Sequence, residues 1–511
     1  MTHPKGSQPP HQYSACRLIQ RAGAKYRSPM ELALPQSSQW RTNWCGGQLI
    51  FAMIIIMLIG TLGGSASGLV IAEIKKSKEK IARERVFEIA EAGAEYYRWH
   101  LAHVPDDFQD GTGVPGPYVH AFKDATGNTI GQYSLAITPP QNGSTIVTVE
   151  STGSLLDNPN RKRTVKVKFG IPSLSTYAVA ANDVMRFGAG TEVFGPIHSN
   201  DGIRFDGIAH NIITSSRQSY TDPDLPSHAA DGVHTHNANE NTTFLAGKQF
   251  PVPTIDFTGI TTDLTNMKAL SQTNGLYLSG SGGLGYHIRF NTNDTIDIRR
   301  VTAMSFCRYR QGSWRDYPDI RSIGSETSFT LNGRSSLGYP LPTNGILFAE
   351  DDLWVDGTVD GARITVVAAR EPLATGTANI IINNDLQYTS YAGQDAIGLI
   401  AQNDISVGFY SDNDLRIDAA LIAQRGRVGR YYYQARSASL QYNPPGCRNY
   451  IWRSSITSFG SITTNRRYGF AYVDGTGYNL RTLNFDSNLT FAPPPSFPTT
   501  GQYSLLSWEE K

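Results

Sequence analysis

From Leu49 to Ala72 the chain reads LIFAMIIIMLIGTLGGSASGLVIA without a single charge. As a helix that run is long enough to cross the ~30 Å hydrocarbon core of a bilayer. It passes without a proline or turn cluster into EIKKSKEKIARERVFEIAEAGAEYYRWHLAH, and the first strong breaker is Pro105. The sequence therefore predicts one helix over 48–103, about 80 Å long, half of it apolar and half amphipathic. All that follows must be built on the far end of that helix.

The flanks bear on its setting. Residues 1–47 are rich in Pro, Gln and Ser, and up to Trp44 they set Lys5, Arg17, Arg21, Lys25, Arg27 and Arg41 against Glu31 alone. No apolar period is sustained there, which predicts a disordered basic leader held in the cytoplasm by its charge. The C-terminal part then lies outside, and the chain is a single-pass membrane protein. The apolar run is too long for the core of a cleavable secretory signal. Cys45 precedes the run, which argues against a lipid-modified anchor. Within the span, Gly60, Gly64 and Gly68 recur every fourth residue, a spacing that lets another helix approach closely. Beyond it, Ile74, Ile81, Ile89, Gly93 and Tyr96 are expected to form a stripe that covers a sheet.

Gly46-Gly47 followed by Gln48-Leu49-Ile50-Phe51-Ala52, and later Ala90-Glu91-Ala92-Gly93, resembles the N-terminal region of PilX-like minor pilins, within the type IV pilin-like proteins. The resemblance implies cleavage between Gly47 and Gln48 by a prepilin peptidase in the membrane. It also implies packing of the helix beside those of other pilin-like subunits. Ala52 stands at the fifth mature position, where the family's major subunits carry Glu.

Helix-favouring Glu and Lys thin out after Arg98, and the chain's 49 Gly and 25 Tyr favour strands and turns. The fold class is α+β. Residues 104–170 predict a small antiparallel β domain from the alternating runs Gly131–Ile137, Thr145–Val149 and Arg163–Phe169. Residues 171–430 carry repeated units such as GILFAEDDLWVDG, GLIAQNDISVG and ALIAQRGRVG, each an apolar strand, a polar corner and another strand. That pattern fits a parallel β-solenoid, with a β-sandwich as the competing architecture. A stretch of low periodicity near 215–248 reads as an insert. The Tyr- and Arg-rich segment 431–511, with Pro493-Pro494-Pro495, reads as an extended strap.

A net charge of +1 gives no basic field for nucleic acid. Cys307 and Cys447 lie beyond the apolar run and would form a disulfide if exported; two separate buried thiols are the alternative. His228, His234 and His236 in SHAADGVHTHNAN are candidate metal ligands, with Asp231 as a further donor. His198 is read as a corner residue that bonds backbone. Asp351, Asp352, Asp356 and Asp360, and likewise Asp412, Asn413, Asp414 and Asp418, are acidic corners that offer oxygens to calcium or simply form turns. No P-loop, HExxH, nucleophile elbow or triad is present, so no catalytic residue and no cofactor is assigned. The expected function is a non-enzymatic minor pilin or pseudopilin. It would stand in or at the tip of a type IV pilus-like filament and present its β-rich head for adhesion or assembly. The alternative is a membrane-anchored β-solenoid enzyme or binding protein acting on extracellular polysaccharide. A structural surface protein outside any filament is a third reading.

Overall fold

The structure, a computed structural model, describes residues 46–141, 143–224, 229–257 and 260–511, so all but the end of the leader lies outside it. The chain divides into two compact units, Met1–Ser77 and Lys78–Lys511. Helix α1 runs Gly46–His103. In the first unit its large apolar side chains are exposed throughout, Phe51 at 66% and Leu69 at 73%. By length and composition it is long and apolar enough to cross a membrane.

In the second unit the helix buries Val86, Ile89, Ala90, Ala94, Tyr97 and Leu101, spaced by three and four on one face. Ile89 and Gly93 belong to the expected stripe. Ile74 and Ile81 do not: each is 51% exposed, and Tyr96 is only half-buried. At 3.6 residues per turn both isoleucines lie roughly 100° or more around the helix from the centre of the buried face.

That face packs on an antiparallel sheet of β1 (Tyr118–Lys123), β2 (Thr129–Thr138), β3 (Ile146–Leu155) and β4 (Lys162–Gly170), in that order. The packing is close because glycine lines the contact. A Cβ on Gly153 of β3 would lie 2.3 Å from the Val86 carbonyl oxygen and 2.7 Å from the Ala90 nitrogen. One on Gly93 would lie 2.2 Å from Ser151 Oγ. The fifth strand of this sheet is Ser504–Glu510, antiparallel to β4 with Leu505 opposite Phe169 and Trp508 opposite Val167. The chain between β4 and this last strand is thus an insertion into the sheet.

The insertion is built of short parallel strands stacked in columns. In one column the neighbours, in spatial order, are Leu276–Leu278, Ile346–Ala349, Arg363–Ala368, Ala396–Ala401, Asp414–Ala423 and Trp452–Thr464. Val179–Ala181, Ile197–Ser199, Ile213–Ser215 and Lys248–Gln249 then continue it. Spatial order therefore breaks from chain order, and Trp452–Thr464 joins the later-numbered strands to the earlier ones. Helix α2, Ile260–Thr273, lies between the two ends in sequence and buries Leu264 and Met267 against Phe348, Val367 and Ile400. Parallel neighbours are what stacked rungs produce, and strands such as Ala396–Ala401 are buried on both faces.

The expected strap at 431–511 is corrected by this arrangement. Trp452–Thr464 and Gly477–Phe485 pair in parallel within the columns, where their Thr, Ile, Phe and Tyr side chains suit a strand. The prolines stand outside those two strands, at 444–445 and at 493–498, and Arg363 donates to the Ala492 and Pro493 carbonyls. The stretch near 215–248 likewise supplies Val233–His234 to one column and Lys248–Gln249 to another. Cys307 and Cys447 form a disulfide, Cα–Cα 5.8 Å, in a cluster with Tyr309, Phe409 and Tyr433.

Gly153→Val is expected to destabilise the Lys78–Lys511 unit by about 1–3 kcal/mol, since the added side chain must displace helix backbone. Thermal unfolding of the detergent-solubilised chain reads the loss. Gly469→Ala, whose methyl meets open space, should leave the transition unchanged.

Candidate functional site

A second column runs through Leu353–Val359, Ile380–Tyr388, Ile405–Val407 and Val428–Arg430, then ends on a parallel bridge from Gly429 to Gly469. Further along, Met185–Phe187, Ile203–Phe205 and Val233–His234 form a separate parallel sheet. At this interruption lies a cleft of about 600 Å³. Its walls include Phe187, Tyr468, Phe470 and Tyr472, with Arg186, Arg467 and Asp224 among its polar residues.

The separate sheet explains the charged groups. Arg186 is opposite Arg204, and Arg204 is opposite His234, so three nitrogen-bearing side chains stand in register on adjacent strands. Like charges in that arrangement repel unless acids intervene. Asp224 pairs with Arg186 and with Arg467 (3.3 Å), and lies 3.5 Å from Arg204. Asp206 takes Arg204 Nε at 2.8 Å and accepts the His236 backbone N–H at 2.8 Å. Burial works against the charge on Asp206, but these two contacts hold its carboxyl below the usual range. Asp222, buried at 3% exposure, sits 3.6 Å from Arg204 and 3.4 Å from His234 Nε2.

His234 and His236 come together with Asp222 rather than with Asp231, which is paired to Ser219 in a hairpin. His228 lies outside the described residues. Burial pushes the His234 imidazole down, against the pull of Asp222, which favours the neutral ring. His198 is buried, and its expected backbone contacts are replaced by side chains: Nδ1 meets Thr214 Oγ1 at 3.0 Å and Nε2 meets Asn200 Oδ1 at 3.1 Å. The acidic corners have their own partners. Arg370 reaches Asp351 (2.6 Å) and Asp352 (2.9 Å), Thr389 donates to Asp360, and Tyr391 donates to Asp418.

On α1, Gly47 lies in the first turns, and Gly60, Gly64 and Gly68 each face open space at the Cβ position. The sequence reading missed Arg186, Arg204 and Asp222. The signal for the arginines was present in the repeated Met185-Arg186-Phe187 and Ile203-Arg204-Phe205, an outward Arg between two inward apolar residues.

A second buried ionic cluster joins four strands. His287 Nδ1 meets Glu326 at 2.7 Å and Nε2 meets Asp356 at 3.1 Å, while Asn383 donates to Asp356. Burial alone would lower the His287 pKa, but Asp356 and Glu326 raise it to about 9. The hydrogen bond from His287 holds Glu326 below its ordinary range, and Asp356 is held low in the same way despite its burial.

No protein-family profile matches the chain, and no curated protein matches it. Among solved structures it is similar to the competence-associated pilin ComZ from Thermus thermophilus, with 12% identity, 84% of this chain and 98% of that one covered, and a TM-score of 0.26. It is also similar to an ice-binding protein from the Antarctic ascomycete Antarctomyces psychrotrophicus, with 11% identity, 62% and 98% covered, and a TM-score of 0.26. At these scores neither likeness assigns a fold or a function to this chain.

The His287 cluster predicts a pH window. A raised histidine stabilises fully below its unfolded pKa, near 6.5, and the contribution is lost as pH rises through about 9. The lowered carboxyls contribute above about pH 4.5 and lose that contribution on acidification. Unfolding followed from pH 6.5 to 10 should show up to about 3 kcal/mol lost from this source. His287→Gln should remove that slope while lowering stability at pH 6; parallel curves for the two proteins would count against the assignment.

Proposed function

We propose that the chain is a non-enzymatic pilin-like subunit, inserted in the cytoplasmic membrane with its N-terminus inside. From there it is assembled into, or at the tip of, a type IV pilus-like filament. The observation that supports this most is the division of α1. One continuous helix leaves its large apolar side chains from Leu49 to Ile71 exposed, while one face of Val86–Leu101 is buried under a β sheet. An exposed apolar half needs lipid or other apolar helices as its solvent. Gly60, Gly64 and Gly68 offer a face on which another helix approaches. Such a helix serves both as a membrane anchor before assembly and as a packing element among other pilin-like subunits afterwards. The Cys307–Cys447 disulfide suits an oxidising compartment outside the cytoplasm. The bulk of the insertion favours a tip or low-abundance position over a closely repeating one.

The cleft lined by Arg186, Arg467 and Tyr472 favours a head that binds. Its half-buried Tyr472 and its charged rim suit a glycan of the cell surface or its surroundings. Asp224 is engaged by Arg186 and Arg467, which suits recognition better than acid–base hydrolysis.

The test is the mature N-terminus. Expressed with a prepilin peptidase, the chain is expected to begin at Gln48; without it, or as Gly47→Leu, at Met1. An N-terminus at Met1 under all three conditions, read by intact mass, would sink the pilin reading and leave an anchored surface protein.

A further inference from the structure

We infer that Asp222, His234 and His236 bind a divalent first-row transition metal ion of the zinc type. One ligand atom from each of the three lies within 4.8 Å of the others. The separation of His234 Nε2 from Asp222 Oδ2 is 3.4 Å. That equals the edge of a tetrahedron, about 3.3–3.4 Å, drawn by ligands at Zn–N and Zn–O distances near 2.0–2.1 Å.

The carboxylate is prepared for a cation. Asp222 is 3% exposed, and its Oδ1 accepts the Asp224 backbone N–H at 2.9 Å, while Oδ2 has no hydrogen-bond donor. A buried carboxylate oxygen left without a donor is costly, more so when the group is charged. A metal ion at that oxygen removes the deficit. Arg204 is the competing cation at 3.6 Å, and it is not stranded when Asp222 turns to a metal, because Asp206 holds it at 2.8 Å and Asp224 lies at 3.5 Å.

The donor set selects the ion. Two imidazoles and one carboxylate suit zinc and its neighbours, whereas calcium and magnesium want oxygen throughout. His234 Nδ1 faces Tyr220 OH at 3.4 Å, which orients Nε2 toward the site. The His236 backbone is fixed by its bond to Asp206 while its side chain is exposed. The ion would therefore have three protein ligands and a solvent position. It would also tie Asp222, just after strand Ser219–Thr221, to the Val233–His234 strand beneath.

The full chain in detergent, stripped with a chelator and then dialysed against micromolar Zn²⁺, gives the test by elemental analysis and calorimetry. Wild type is expected to hold one more equivalent of zinc than His236→Ala, a variant at an exposed position that leaves the fold intact by circular dichroism. Asp222→Asn should weaken the same site at least tenfold, and His210→Ala, a histidine paired elsewhere with Glu192, should leave it unchanged. Cysteines and histidines in the leader contribute equally to all four proteins and cancel in the difference. Equal zinc in wild type and His236→Ala overturns the assignment. So does a loss in His210→Ala as large as that in His236→Ala, or displacement of the zinc by millimolar Ca²⁺ or Mg²⁺.

Discussion

Val86 and Ala90 of the long helix occupy the space where Gly153 would otherwise carry a side chain, and Ser151 and Tyr133 crowd Gly93 in the same way. This backbone-close contact fixes the helix against β1–β4 by van der Waals packing, with Leu135, Val149 and Val167 in its core. The rest of the Lys78–Lys511 unit depends on it. The large insertion leaves and re-enters the sheet at its β4 edge, and the chain path from insertion to helix runs back through β4–β1, this small packed layer.

The insertion solves a separate problem of closure. Its strands from Val179 to Gln249 stack on one another, but the first of them, Val179–Ala181 and Thr191–Phe194, take their other neighbours from Trp452–Thr464 and Gly477–Phe485, more than two hundred residues later. The two runs meet on one column, while on another the ladder stops at Gly469 and resumes at Met185. The cleft exists because that join is incomplete. Its charged residues follow from the sheet beyond, where in-register Arg186, Arg204 and His234 require Asp206, Asp222 and Asp224 around them.

Much of this was legible in the residues. A charge-free run from Leu49 to Ala72 has few solutions, and the alternation in Arg163–Phe169 declares which side of a strand faces inward. The repeats around GLIAQNDISVG signalled short strands with polar corners. What alternation does not say is which strand lies beside which. Parallel partners such as Ile462 and Val179 are separated by a long stretch of chain, and no local pattern encodes their meeting. The strand Ser504–Glu510 was hidden for the same reason, because its partner β4 precedes it by more than three hundred residues. At the histidine cluster, the His234 and His236 rings lie 5.6 Å apart. Their acidic neighbour is Asp222 rather than Asp231, because the Ser219–Thr221 and Ala229–Asp231 hairpin, not the local sequence, decides which carboxylate turns inward.

The entry and exit of the insertion run side by side. Gly170 is opposite Ser504, Ser173 is opposite Thr499, and the Thr500 N–H donates to the Pro172 carbonyl at 2.8 Å. This two-stranded neck is a load path. A pull on the insertion reaches β4 and the last strand at the same end and in the same direction, so the pair moves together instead of sliding past each other. Tension then passes across the sheet as shear on several hydrogen bonds at once and reaches the helix through its buried stripe.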